Sequence, residues 1–314
     1  MSDRARLFLL RLARRLAWSA VTLLGTVLLT FVLLYAYPAS PEKLIAGPHS
    51  DPATLQAIRV QMGLDKPRWV QFLVYLDHLL KGNWGTSNFT REPVLRSIWE
   101  RFPATLELAA AGLFFYLAIG IPLGLWTARH KHKWQDRTVL VVGILIISMP
   151  IFYLARMLQY GLAYKWRLLP VAGIGGLDHL LLPAFTLGLV GGVYYSRLLH
   201  TSLTEVLTQD YVRFARARGF SERHVLFRHV LRNAMIPVAT QLGMDVAGLL
   251  SGVIFTENVF AWPGIGTLAV KAILQMDVPV IMGTVLFAAI LVVAANIIVD
   301  LLYPVLDPRI ERSL

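Results

Sequence analysis

A chain of 314 residues that is 56% hydrophobic and only 16% charged, with a mean hydropathy of +0.58, falls outside the usual soluble mixture and reads as a polytopic membrane protein. Its net charge of +11 does not call for nucleic acid, because arginine and lysine kept in cytoplasmic loops produce the same excess in a membrane chain. With no cysteine, disulfide and thiol chemistry are excluded.

The N-terminus carries Arg4, Arg6, Arg11, Arg14 and Arg15 against a single acid, Asp3, which holds this end inside. The apolar run Leu16 to Tyr37 follows, too long for a signal-peptide core and therefore read as a retained helix. Pro38 to Pro103 then forms a long external connection in which eight basic residues nearly balance six acids. Within it, Asp51 to Leu64 opens on Asp-Pro and has a glycine near its end, the pattern of a short helix. A second helix is predicted over Pro67 to Leu80, with Trp69, Phe72, Leu73, Leu76 and Leu80 on one face. These helices either lie on the membrane surface or cap the bundle, or else dock an extracytoplasmic partner.

Five further runs approach the roughly 20 residues needed to cross about 30 Å of hydrocarbon: Leu108 to Ala128, Thr138 to Ala155, Leu180 to Ser196, Ile236 to Thr256 and Val278 to Val299. Six spans in all place Arg129, Lys131, Lys133, Arg137 and the tail with Arg309 and Arg312 on the same side as the N-terminus. Lys165, Arg167 and Lys271 fall on the other side. The pairs Gly120 and Gly124, Gly188 and Gly192, Gly248 and Gly252 have the spacing that lets helix backbones approach closely. Pro122, Pro150 and Pro183 lie within or at the edge of spans and free backbone carbonyls that a polar bundle interior must satisfy. Asp245 stands in mid-span, where a carboxylate costs at least about 2.5 kcal/mol and faces a cavity or a partner. A place on a translocation path and a helix-helix hydrogen bond both fit it.

Between the fourth and fifth spans, Asp210 to Ala234 carries six arginines, two histidines and only two acids. Val212, Phe214 and Ala215 interleave with Arg213, Arg216 and Arg218, and Gly219 stops that helix as a C-terminal cap. Ser221 is placed to cap the next helix, with Glu222 in its first turn. Val225, Leu226, Val230 and Leu231 give the second helix an apolar stripe, with Arg228 and Arg232 on its flank. Topology explains the arginines. The stripe needs a surface, which is either the membrane interface or a partner's groove.

No His-Glu-x-x-His pair, phosphate-binding Gly-x-x-x-x-Gly-Lys, nucleophile elbow or dinucleotide fingerprint is present. His130 and His132 alternate with lysines as a solvated cluster. The pattern therefore predicts no metal site, and any nucleotide hydrolysis belongs to another chain. A membrane-embedded enzyme would need paired acids or a nucleophile with its base inside the spans. An ion-coupled secondary transporter could use Asp245, but no inverted repeat accompanies it.

The stretches "DYVRFARARG" (Asp210 to Gly219), "RHVLRNAMIPV" (Arg228 to Val238), "RFPATLELA" (Arg101 to Ala109), "ENVFAWPGIG" (Glu257 to Gly266) and "VDLLYPVLDPRI" (Val299 to Ile310) resemble the permease subunits of binding-protein-dependent ABC importers, in the oligopeptide, dipeptide and nickel branch, of the type that pairs with a second permease. The resemblance covers nearly the whole chain. It implies an all-α membrane protein of six spans with both termini cytoplasmic. Residues 1–37 would form the N-terminus and first helix, 38–103 an external helical loop, and 104–314 a five-helix core with a coupling segment at 200–235.

The basic segment resembles the coupling motif of ABC importers, Glu-Ala-Ala, three residues, Gly, and later Ile-x-Leu-Pro. Aligned on Gly219, it has Arg213, Phe214 and Ala215 in the first three places, and Pro237 comes late. The resemblance implies ATPase coupling through Asp210, Tyr211, Arg213, Ala215, Arg216, Gly219, Phe220, Arg228, His229, Arg232 and Asn233. It also implies a path or gate role for Asp245, Glu257, Asn258, Phe260, Trp262, Pro263, Gly264 and Gly266. The "FAWPGIG" loop is then an external gate or re-entrant element; an interfacial aromatic belt is the other reading. The implied partners are a second permease, two ATP-binding cassette ATPases that bind ATP and Mg, an extracytoplasmic solute-binding protein and membrane lipid, with no cofactor on this chain and no nucleic acid. The implied cargo is a di- or oligopeptide, with nickel or metal-chelate complexes and glutathione as alternatives.

Overall fold

The structure is a computed structural model that describes residues 3–36, 51–61, 63, 65–250 and 253–306. Gly252, the start of the external connection and the tail from Asp307, with Arg309 and Arg312, lie outside the described residues. Apart from one isolated bridge between Thr86 and Pro93, the regular elements are helices. They are α1 (Asp3–Ala36), α2 (Pro52–Gln61), α3 (Arg68–Leu80), α4 (Val94–Arg129), α5 (Trp134–Ser148), α6 (Ile151–Leu158), α7 (Leu177–Val206), α8 (Asp210–Ala217), α9 (Glu222–His224), α10 (Leu231–Leu250), α11 (Ile254–Val259), α12 (Ile265–Gln275) and α13 (Val278–Leu306). π-Helical turns at Gln159–Lys165 and Val225–Val230 continue α6 and join α9 to α10.

Among the described residues, four helices are long and apolar enough to cross a membrane: Ala13–Leu34 within α1, α4, α7 and Val278–Val299 within α13. A fifth span exists if α5 and α6 with its π-turn count together, but they are bent by 105°. The single run expected over Thr138 to Ala155 is therefore broken. Met149, forced into the extended region by the proline that follows it, ends α5, and Pro150 opens α6. The run expected over Ile236 to Thr256 also differs: α10 already starts at Leu231, and by Val253 the backbone has left the helical region before α11 begins at Ile254. Arg232, Asn233, Gln241 and Asp245 lie along α10, which is not among the helices apolar enough to cross.

The chain forms two compact units, one of residues Met1–Pro103 with Gly264–Val293 and one of Ala104–Pro263 with Ala294–Leu314. In the first, Val27 and Phe31 of α1 pack with Met282 and Leu286 of α13, and α3 adds Phe72, Tyr75 and Leu79. The packed stripe of α3 is thus rotated from the one its spacing predicts, and Trp69, Leu73 and Leu80 remain exposed. Burial pushes the Tyr75 hydroxyl up to about 12. The end of the external connection is pinned to α13 by buried Asp277, which accepts the Ser87 hydroxyl at 2.5 Å and the Asn88 amide at 3.1 Å.

In the second unit α4 crosses α7 at small residues. A Cβ on Gly192 would lie 2.7 Å from Ile119 Cβ, and one on Gly120 would lie 2.6 Å from Tyr195 Cβ and 3.0 Å from the Gly192 carbonyl. Gly124 and Gly188 meet Ser196 and Phe115 as closely. These two pairs serve packing, as their spacing indicates. Gly248 has open space where a Cβ would be.

Helix α10 is joined to α7 by a polar clasp. Tyr195 donates its hydroxyl to Asp245 Oδ2 at 2.8 Å, and Gln241 Nε2 donates to Oδ1 at 2.9 Å. The mid-span aspartate thus makes a helix-helix hydrogen bond, one of its two sequence readings. Tyr195→Phe is expected to lower stability in detergent by about 0.6–1.7 kcal/mol, the scale of interhelical hydrogen bonds in membranes. Asp245→Asn keeps an acceptor oxygen and should cost less; thermal unfolding of the two variants side by side checks the order.

Candidate functional site

The basic segment forms a corner of two helices. Helix α8 begins after extended Gln209, with Asp210 in its first turn, where a carboxylate complements the helix dipole. Val212 and Ala215, three residues apart, point inward and are buried, while Tyr211, Arg213, Phe214 and Arg216 point outward. The helix ends in a Schellman motif: Gly219, at φ 82°, donates to the Arg216 carbonyl at 2.9 Å and Phe220 donates to Ala215 at 3.4 Å. A Cβ at Gly219 would meet nothing within 4 Å, so the glycine is required by its left-handed backbone and not by space. The side chain of Ser221 accepts from the His224 amide and starts the next helix, with Glu222 in its first turn.

Two side-chain contacts hold the corner. The Arg216 guanidinium bonds both oxygens of Glu222, at 2.9 and 3.1 Å, across the glycine. Asn233 Nδ2 donates to the Tyr211 hydroxyl at 2.7 Å and ties the start of α8 to α10. Phe220 stacks on His224 with ring centroids 4.9 Å apart, and His229 lies 6.1 Å from Phe220.

The structure corrects three expectations here. The second helix is not confined to Asp210 to Ala234, ahead of a separate fifth span, since it runs from Glu222 through the π-turn and α10 without interruption. Its stripe needs neither lipid nor a partner: Val225, Val230, Ala234 and Val238 are buried with Val212 and Ala215 against Tyr195, Leu199 and Leu203 of α7, and Leu226 and Leu231 pack on this cluster. Ala215 consequently faces the core, so its small side chain lets α8 seat and cannot itself touch a partner. The exposed apolar groups of the corner are instead Tyr211, Phe214 (70% exposed), Phe220 and Phe227. Phe227 has no role in the sequence reading, and Phe214 enters it only as an apolar position of the coupling motif. Phe214 stands two residues from buried Val212, half a turn or more around the helix, which was its only signal.

The "ENVFAWPGIG" stretch is a second constellation, in which Glu257, Phe260, Trp262, Gly264 and Gly266 are buried. Helix α11 ends in another Schellman motif, with Ala261 at φ 50° and the Trp262 amide donating to the Glu257 carbonyl at 2.8 Å. Glu257 is fully buried and accepts from Thr105 Oγ1 at 2.8 Å; Trp262, 1% exposed, donates Nε1 to the Ala104 carbonyl at 2.7 Å. Phe260 packs with Ala155, Ala163 and Leu182, and Gln159 Nε2 bonds the carbonyls of Val259 and Val171 at 3.0 and 2.7 Å. Asn258 bonds its own helix at Ile254, Pro263 follows Trp262, Gly264 precedes α12 as its N-cap and Gly266 lies buried in the first turn. An interfacial belt of Phe260 and Trp262 is excluded by this burial. Exposed aromatics gather on the π-turn after α6 instead, where Tyr160 and Tyr164 stack 5.8 Å apart beside Trp166.

The sequence and the fold match known proteins. Residues 120–312 match the family described as binding-protein-dependent transport system inner membrane component, and residues 8–109 match its N-terminal counterpart. The chain belongs to this family. The permease is 38% identical to the glutathione transport system permease protein GsiC of Salmonella choleraesuis, over 95% of this chain and 97% of that protein. It is 35% identical to the dipeptide transport system permease protein DppB of Escherichia coli K12, over 96% and 98%. In fold it is similar to a chain of the methionine ABC transporter MetNI in inward-facing conformations, with a TM-score of 0.54 at 16% identity, covering 68% of this chain and 97% of that one. The permease is thus a multi-pass protein of the bacterial inner membrane and a subunit of an ABC importer. Asp245 in its clasp gives no support to an ion-coupled secondary transporter.

Proposed function

We propose that the permease is the non-enzymatic translocation subunit of an ATP-driven importer of short peptides, with glutathione and dipeptides as the first cargoes to test. Two relatives named for these compounds, at 38% and 35% identity, support that cargo class. In this reading a solute-binding protein delivers the peptide outside, a second permease completes the path, and two ATPase subunits carry ATP and Mg. Six spans put both termini and the α8–α9 corner in the cytoplasm. Glu257, Trp262 and their neighbours position the gate from within rather than line it, and Asp245 sets the α7–α10 contact.

One observation carries the coupling role. The corner presents exposed aromatics and arginines outward, while its inner face is one apolar cluster with the end of α7. A push on Phe214, Phe220 or Phe227 therefore reaches a membrane-crossing helix through packed side chains, not through a flexible loop.

Gly219→Val is the test. A β-branched residue is disfavoured at φ 82° by at least the roughly 1–2 kcal/mol of an ordinary L-residue, so the Schellman corner should open. In proteoliposomes with the partner subunits, ATP-driven uptake of labelled dipeptide should fall by about tenfold, while membrane insertion stays normal. Wild-type uptake by this variant would rule out the coupling assignment.

A further inference from the structure

Behind the α8–α9 corner the second unit holds a cavity of about 600 Å³. Leu125 of α4, Leu203 and Leu207 at the end of α7, and Leu226 of the π-turn give it an apolar floor. Its edge carries Arg129, Arg216 and Arg223 with one acid, Glu222. Arg216 is engaged by Glu222, whereas Arg129 and Arg223 have no carboxylate partner among the described residues.

An apolar floor below two unneutralised guanidiniums is the complement of an anionic amphiphile. Guanidinium forks match phosphate oxygens in pairs, and leucines accept hydrocarbon. Arg129 is the last residue of a membrane-crossing helix, which sets the rim at the level where lipid headgroups meet water. The last turns of α4 and α7 also line the cavity, and helix C-termini disfavour an anion, so both arginines are needed. We propose that this cavity holds the phosphate of an anionic phospholipid, with the glycerol end of its acyl chains over the leucine floor. A soluble anion would gain nothing from that floor. The cavity shares Arg216 and Phe227 with the coupling corner, but Arg129 and Arg223, which would hold the phosphate, lie outside the set assigned to coupling.

Native mass spectrometry of the full chain in detergent, titrated with phosphatidylglycerol or phosphatidylcholine, tests this. The wild type should retain one phosphatidylglycerol and no phosphatidylcholine at the same concentration, and excess inorganic phosphate should not displace it. Arg129→Gln with Arg223→Gln should weaken retention by about tenfold or more, and the corresponding double lysine variant, which keeps the charge but not the fork, should fall between it and the wild type. Equal retention of the two lipids, displacement by inorganic phosphate, or unchanged retention in the glutamine variant would each overturn the proposal. The wild-type comparisons decide alone if the glutamine variant does not fold, and loss of coupling in Gly219→Val has no bearing on them.

Discussion

Gly120→Val is expected to abolish the native packing of the second unit. A Cβ at Gly120 would stand 2.6 Å from Tyr195 Cβ and 3.0 Å from the Gly192 carbonyl, and neither atom is the end of a flexible side chain. Helices α4 and α7 would have to separate, which costs about 3 kcal/mol or more at a close-packed crossing. Separation also carries Tyr195 away from Asp245, so the α7–α10 clasp opens with it. Lipid cannot repair the loss, because helix association in a bilayer rests on packing and interhelical hydrogen bonds rather than on apolar burial. The purified variant should show a much lower unfolding temperature in detergent or fail to accumulate. Gly25→Ala, at a position where a Cβ meets nothing within 4 Å, should match the wild type. Equal stability of Gly120→Val and Gly25→Ala would show that the two helices do not cross there.

Trp262→Ala is expected to have the second large effect, about 3–5 kcal/mol, the range for removing a fully buried aromatic. The indole packs with Leu108, Ala109, Leu180, Ala184, Leu187 and Leu249 and also bonds the Ala104 carbonyl. Trp262→Phe separates the two contributions. It keeps most of the volume but not the N–H donor, so it should cost about 1–2 kcal/mol. Unfolding temperatures in the order wild type, phenylalanine, alanine are the expected outcome. A phenylalanine variant as damaged as the alanine one would place the weight on the hydrogen bond instead of the packing.

Much of the coupling corner was legible in the residues. Gly219 between two basic helical patterns, Ser221 followed by Glu222, and the small-residue pairs on α4 and α7 each have a local geometric meaning that survives in the fold. Periodicity also located α3, yet it misjudged which face packs, since Trp69, Leu73 and Leu80 are as apolar as the partly buried Phe72, Tyr75 and Leu79. An apolar stripe states that burial is favourable but not what covers it. That is why the stripe of Val225 and Val230 suggests by itself the membrane interface or a partner's groove, whereas in the fold it is buried in one cluster with Leu199 and Leu203.

Sequence alone determined the membrane class, the family and the turn at Gly219, because composition, spacing and backbone preference act over a few residues. Only the tertiary structure decided that "RFPATLELA" and "ENVFAWPGIG" are one site, through Thr105 to Glu257 and Trp262 to the Ala104 carbonyl. It alone showed that Asp245 is held by Tyr195, 50 residues away, and that Met149 and Pro150 break a run that composition reads as continuous. A buried polar group must find a partner somewhere, and hydropathy does not say where; which helix supplies it depends on how close two backbones can come, as Gly120 and Gly192 do here.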